Sequence, residues 1–508
     1  MTLTIEFEPY VGSSVDALSI PLYLRCQLVF KLSKPLTVVP LLESGVKRLI
    51  QALPFLSGEF TTVPASDDGK DVLLVRPAPN FELGCIFKIE RHGTSLQDVF
   101  DQMDEPSSQG GDLPHEPYMP YPRFPDPSRP QPIVGFQVNV HRDGVILSVA
   151  THHCAFDATG MGSIVRNLAA CCRHEPDLTT SPGEEAKARK VLSQIRETPF
   201  DPKMFPEYRP LDSLLSYYKG ARSALQSRQT TIVNRCFTIA ADKINALKKR
   251  CNGLIPEMKK KYGLSTQNDT ESAWVSSNDV VAALLWACIN RARYPELRER
   301  SLQQLPPDLL NATSSLGLPV NIRSRMSPPL PKSSLGNAVC LLREKVPLHL
   351  FALPGHDNVA NMKASAHFPS DYSEGDEWAM AFCRVAYELR AKLNTIDYDY
   401  VRDYISYVQK SPCHLSVTLD TENLYLSNWR EIGVYDADFG GALGKPLRMR
   451  APDGYTDGLI FVMAQRSDDK TAPWEFSMSL ESSTMKRIVN DPLWCKYVEL
   501  DGFWHGAS

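Results

Sequence analysis

Two apolar stretches restrict the fold more than any other feature. Residues 133–140 and 145–151 are rich in branched and aromatic side chains, and they are separated only by His141-Arg142-Asp143-Gly144. Such side chains pack well on a pleated surface, and an Asp-Gly turn lets one strand fold back on another. The spacing therefore predicts an antiparallel hairpin. Its second strand ends at His152-His153, and a helix is predicted over residues 162–174. Immediately upstream, residues 106–132 hold nine of the 39 prolines. Proline lacks a backbone donor and fixes φ, so this stretch is expected to lie outside any sheet.

The rest of the chain alternates the same two patterns. Residues 22–32 read as a strand and 40–53 as a helix. Residues 280–293 read as a buried helix, 376–393 as a further helix, and 415–420 and 457–464 as strands. Between 199 and 228 the hydrophobic period weakens while Pro, Lys, Ser and Tyr accumulate, as in a crossover between two halves. The expected class is α/β in the mixed α+β sense, with domains at 1–200 and 231–508 and a linker at 201–230. A chain of 508 residues buries a sizeable core without disulfides.

Charge and cysteines narrow the function classes. The 55 Lys+Arg nearly balance 59 Asp+Glu, for a net charge of −4. That excludes a broad polycationic surface for nucleic acid and leaves room for a local basic pocket. The N-terminus has no basic start followed by an apolar run. The longest apolar run, 280–289, is half a membrane span. None of the twelve cysteines has Cys-x-x-Cys spacing. These features predict a cytoplasmic protein with reduced thiols, with no nucleic-acid or membrane partner.

The segment His152-His153-Cys154-Ala155-Phe156-Asp157 carries the chemistry. A neutral imidazole accepts a proton near pH 7, and a strand end holds the ring rigidly at a cleft. Asp157 is placed to fix the following turn through backbone amides or an arginine. The plain alternative is a satisfied buried histidine pair beside a capping aspartate. A second His-x-x-x-Asp, His367 to Asp371, sits in a polar stretch. Adjacent strand residues face opposite ways, so the two histidines do not share one ion, and no metal is expected.

Together with Asp438-Phe439-Gly440-Gly441-Ala442-Leu443-Gly444-Lys445-Pro446, this motif resembles the BAHD superfamily of CoA-dependent acyltransferases, in particular its fungal secondary-metabolite branch. Residues 53–58, Asn321-Ile322-Arg323-Ser324-Arg325 leading to Gly336-Asn337, and Ser427-Asn428-Trp429 extend the resemblance over roughly residues 20–490. Two departures stand out. Ala158 follows the aspartate where the family has glycine, with Gly160 two residues on, and the second motif lacks its tryptophan.

The resemblance implies two chloramphenicol-acetyltransferase-like domains of similar topology with a channel between them. It implies His153 as general base, with Asp157 structural and paired to an arginine. Asp438 would be a structural anchor, against Arg323, with a turn before Gly440. Ser427 and Trp429 are the oxyanion or acceptor candidates. Acetyl-CoA, or another acyl-CoA, would be the co-substrate, with Ser277 near its pantetheine arm and Lys259 and Lys260 facing its phosphates. The clusters 248–250 and 259–261 flank a Cys-Asn-Gly linker and, on the residues alone, read more readily as solvated helix ends. The segment 276–279 reads equally well as an N-cap. No acyl-enzyme is implied, so Cys154 is a small core residue.

The activity expected is O-acetylation of a small hydroxylated natural product, a terpenoid or alkaloid, by a monomer. A carrier-dependent condensation enzyme and a non-catalytic binding protein on the same fold are the alternatives. No Gly-x-Ser-x-Gly elbow of a hydrolase is present.

Overall fold

A computed structural model describes residues 5–64, 71–104, 116–126, 128–175, 178–193, 199–211, 231–264, 274–300, 302–352, 376–411, 414–417, 424–451, 456–466 and 469–500. The second His-x-x-x-Asp, at 367–371, lies outside them. The hairpin is tighter than the four-residue turn suggested. Val134–His141 and Gly144–His152 pair until His141 faces Gly144, leaving only Arg142 and Asp143 to turn. Tyr23–Lys31 adds antiparallel to the second strand and Phe87–Arg91 parallel to the first. Every residue of both hairpin strands is buried, as a central position in a covered sheet requires.

The fifth strand of this sheet comes from far away. Arg448–Arg450 pairs antiparallel with Tyr23–Lys31 at the sheet's edge, so the stretch expected to form the second domain completes the first sheet. The proline-rich segment also departs from expectation. Gln131–Pro132 forms a two-residue strand against Gly58–Pro64, at the rim of a four-stranded sheet where a missing N–H is tolerated. Residues 106–115 and 127 of that segment are outside the described part.

The second large sheet has seven strands, in the order Val339–Pro347, Thr313–Asn321, Leu424–Asn428, Leu459–Val462, Trp474–Glu481, Ile232–Ile239, Val498–Leu500. Leu424–Asn428 runs parallel to both of its neighbours, and the remaining pairs are antiparallel. Ser277–Arg293 is buried from Asp279 to Ala292, so its apolar run is core helix. Ala241–Tyr262 is one continuous helix with Pro256 inside it. The Cys-Asn-Gly segment is therefore no linker. Within the expected crossover, Tyr208–Leu211 is a strand paired with His414–Val417, and residues 212–230 and 418–420 lie outside the described part.

Burial follows the two sheets. One apolar cluster fills the seven-stranded half. A second fills the five-stranded half and draws in Trp429, Ile432, Tyr435, Phe439 and Met449 from the C-terminal third, and a small third one gathers Val29, Leu96, Val99, Phe100 and Ile146. The architecture is mixed α/β in two sheet-centred halves. No helix among the described residues is long and apolar enough to cross a membrane.

Candidate active site

The strand end separates the two histidines. His152 is fully buried, stacked on Phe60 at 4.2 Å, with Nε2 donating to Gln131 Oε1 at 2.7 Å and Nδ1 accepting from the Cys154 amide. Burial pushes its pKa down to about 3, so it is a neutral core residue. His153 faces the other way. Its Nδ1 lies 3.2 Å from the Phe156 carbonyl, which can only accept, so Nδ1 carries the proton. Nε2 is left as an unprotonated acceptor. Burial is the strongest influence on this ring and lowers its pKa, which keeps it neutral at pH 7.

Asp157 has no lone pair to spare for chemistry. It caps the helix Ala158–Cys172 by accepting from Gly160 N, and it also accepts from Ala338 N. Arg323 holds both of its oxygens, at 2.7 and 3.0 Å, in a pair that is 3% exposed on each side. The same guanidinium donates to Ser334 and to the carbonyl of Gly336. This corrects the expected partner. Arg323 anchors Asp157, whereas Asp438 accepts from Gly440 N at 2.9 Å and shapes its own turn. Gly440 there has φ +91°, a conformation that suits glycine.

His153 and Ser427 together border two cavities. One, of about 210 Å³, is mainly apolar, with Leu22, Leu24, Tyr208, Tyr404 and Phe461 in its wall. The other, of about 390 Å³, is more polar and includes Asn278, Arg325, Arg390 and Arg430. Trp429 is buried and donates its indole N–H to Ser427 Oγ at 2.9 Å. The two oxyanion candidates are therefore unequal. The indole proton is already used, while the serine hydroxyl retains its own.

The candidates for binding a polyanion separate as well. Ser277 opens the buried helix and lines a third cavity, of about 460 Å³, with Lys248, Asn252, Trp274, Arg430 and Trp474. This cavity shares Asn278, Arg430 and Glu431 with the polar one. Arg430 lies 3.6 Å from the Trp474 ring centroid, and burial lowers its pKa to about 10. Ser276 and Asp279 form a capping box, locked by Arg390 at 2.8 Å from each. Lys259 and Lys260, expected to face the phosphates, lie apart from this cavity. Lys259 is buried with its ammonium 5.0 Å from the Tyr387 ring, Lys260 is exposed, and neither lines any of the three cavities.

Sequence reasoning missed Lys248's separation from its cluster, Arg390, Arg430, Asp16 and Glu185. None stands in a motif that marks it for a site, and only the fold brings each of them inward. Among the described residues no group of three His, Cys, Asp or Glu is arranged to hold a metal.

A neutral imidazole and a hydroxyl thus border two cavities in a chain built on two mixed sheets, and the chain as a whole has known relatives. A family model described as the Transferase family matches residues 115–345 and 369–493, and a trichothecene 3-O-acetyltransferase-like N-terminal domain matches 22–172. The chain belongs to this transferase family, of the BAHD type, in its fungal branch, and is an acyltransferase.

Among relatives, the O-acetyltransferase anaAT of Neosartorya fischeri is 82% identical, with all of both chains covered. The O-acetyltransferase pboB of Aspergillus ustus is 35% identical over 98% of this chain and 99% of its own. Among solved structures, TRI101 of F. sporotrichioides complexed with coenzyme A and T-2 aligns with TM-score 0.70 at 20% identity. That alignment covers 97% of this chain and 100% of that one. Vinorine synthase aligns with TM-score 0.56 at 16% identity, over 96% and 93%. At these identities the two structures speak for the fold.

Proposed function

We propose that the protein is an acetyl-CoA-dependent O-acetyltransferase acting on a hydroxyl of a small natural product, with His153 as general base. The observation that carries this reading is the shared border: His153 and Ser427 line both the apolar and the polar cavity. An acceptor in the apolar cavity and a thioester in the polar one meet at these two side chains. Two further relatives, a fumigaclavine B O-acetyltransferase and a communesin N16 acyltransferase, support a small fungal product as acceptor.

On this reading His153 Nε2 takes the hydroxyl proton as the acceptor oxygen attacks the thioester carbonyl carbon. Ser427 donates to the developing oxyanion, where such a donor is worth most. The carbon–sulfur bond then breaks, and the leaving thiolate takes the proton back from His153, so free CoA and the ester are released. No acyl-enzyme forms, and Asp157 moves no proton. Lys248 and Arg430 are the cations placed for the CoA phosphates, with Ser277 beside them; the aromatic and cationic lining of that cavity fits a nucleotide end. The reading keeps the division 1–200, 201–230 and 231–508, and a cytoplasmic monomer.

The test needs no knowledge of the acceptor at first. Thermal unfolding of wild type and His153→Ala is recorded with acetyl-CoA, malonyl-CoA and free CoA. A ligand at about 100 times its Kd stabilises by roughly 2.7 kcal/mol. Comparable stabilisation of both proteins by acetyl-CoA is expected, with acetyl transfer to screened acceptors by the wild type alone. No stabilisation by any CoA, or undiminished transfer by His153→Ala, overturns the reading.

A further inference from the structure

Asn337 sits in a loop that three buried carboxylates hold by its backbone. Leu335 and Gly336 donate to Glu185 at 2.7 and 3.0 Å, Asn337 to Asp16 at 3.1 Å, and Ala338 to Asp157 at 3.0 Å. Four consecutive amides are thus engaged by carboxyl oxygens from the first 200 residues. The side chain is held as firmly. Its Nδ2 donates to Asp16 at 2.7 Å and to the His153 carbonyl at 2.8 Å. Both partners only accept, so the amide has one orientation and Oδ1 is its other terminus.

That oxygen is buried and has no hydrogen-bond partner among the described residues, in a side chain that borders the apolar cavity with His153. A buried carbonyl oxygen without a donor costs free energy, and a donor that appears during turnover would recover it. The proton taken up by His153 supplies one. A histidine base is ordinarily oriented by a carboxylate, yet the only aspartate of the motif is consumed by Arg323 and two backbone amides.

We propose that Asn337 is the positioning residue for His153, its Oδ1 accepting a hydrogen bond from the ring as the ring becomes imidazolium. The inference rests on His153 being the base. Of the influences on the ring, burial favours the neutral form most strongly, while the Asn337 side chain, Asp157 and the Phe156 carbonyl favour the protonated one.

The test is the titration of His153 in Asn337→Ala, which removes the acceptor, and in Asn337→Asp, which keeps an oxygen there and adds charge. The rate of modification of His153 by diethyl pyrocarbonate against pH, followed by peptide mass spectrometry, reads the ring without any acceptor. The other titratable groups near the ring are retained in both variants. Asp157 and His152 lie in its own segment, and Asp16 behind Asn337. Arg123, Tyr208, Tyr404 and Tyr425 face it from the apolar cavity. Asp279, Arg325, Arg390, Arg430 and Glu431 face it from the polar one.

The midpoint is expected to fall by roughly half a pH unit or more in Asn337→Ala and to rise in Asn337→Asp. With the acceptor in hand, kcat of Asn337→Ala falls about tenfold or more, while KM for acetyl-CoA stays within about twofold. A lowered melting temperature with an unmoved His153 midpoint in both variants overturns the proposal and leaves a purely structural clamp. Should Asn337→Ala not fold, the direction of the Asn337→Asp shift decides. Undiminished transfer by His153→Ala would remove the base reading itself, a result separate from the titration.

Discussion

Ser427 Oγ has the indole of Trp429 as a donor. It is left with one hydrogen, at the border of both cavities. Ser427→Ala should lower kcat by about 10²–10³-fold with little change in KM for acetyl-CoA, as loss of an oxyanion donor does. Trp429→Phe frees the hydroxyl to rotate without removing it and should cost less; steady-state kinetics of the two variants separates the roles. His153 and Asp157 were legible in the sequence because strand end, turn and cap are neighbours along the chain. The partner of Asp157 was not. Arg323 lies 166 residues away, and two aspartates that each precede a glycine turn present themselves to it alike. Only packing decides between them. Asn337 has no role legible in its sequence segment, since an unpaired oxygen is a property of the folded site.

At the scale of elements, the helix after the motif begins at Ala158, four residues before the periodic pattern announces it. Gly160 and Gly162 make the first turn read as loop. They are required by contact: a Cβ on Gly160 would stand 2.0 Å from the Leu335 carbonyl oxygen, and one on Gly162 would stand 2.3 Å from that of Ile432. Gly160→Ala should therefore destabilise by about 1–3 kcal/mol despite alanine's better helix propensity. Gly253 is the contrast, exposed in the long helix Ala241–Tyr262 with nothing near its missing Cβ. Gly253→Ala should stabilise by about 0.5–1 kcal/mol. Urea unfolding of the two variants checks the opposite signs. The same long helix was read as two basic ends around a break. Its Cys-Asn-Gly and Pro256 are weak formers locally, and tertiary contact with Asp376–Asn394 overrides them.

At the scale of the whole molecule, the two halves are joined by charge as well as by apolar contact. Breaking the buried Asp157–Arg323 pair from one side, as in Arg323→Ala, should cost about 3–5 kcal/mol in unfolding free energy. Burial holds His152 down to about 3 and His141 down to about 4, against about 6.5 in the unfolded chain. Below pH 6.5 the unfolded state binds more protons, so stability present at neutral pH is lost as pH falls towards 4. Melting temperatures across that window should show the decline, and His141→Gln should make it shallower. The mixed class and the hairpin were visible in advance because they rest on local periodicity. The edge strand Arg448–Arg450 was not, because three residues carry no period of their own. That strand has a consequence for synthesis. A ribosome that has finished Tyr23–Lys31 must add roughly 400 more residues before the strand's edge partner exists, tens of seconds at usual rates. Through that interval the nascent chain presents an open, apolar strand edge to its neighbours. Chaperones that cover this edge during translation are therefore expected to raise the yield of folded protein.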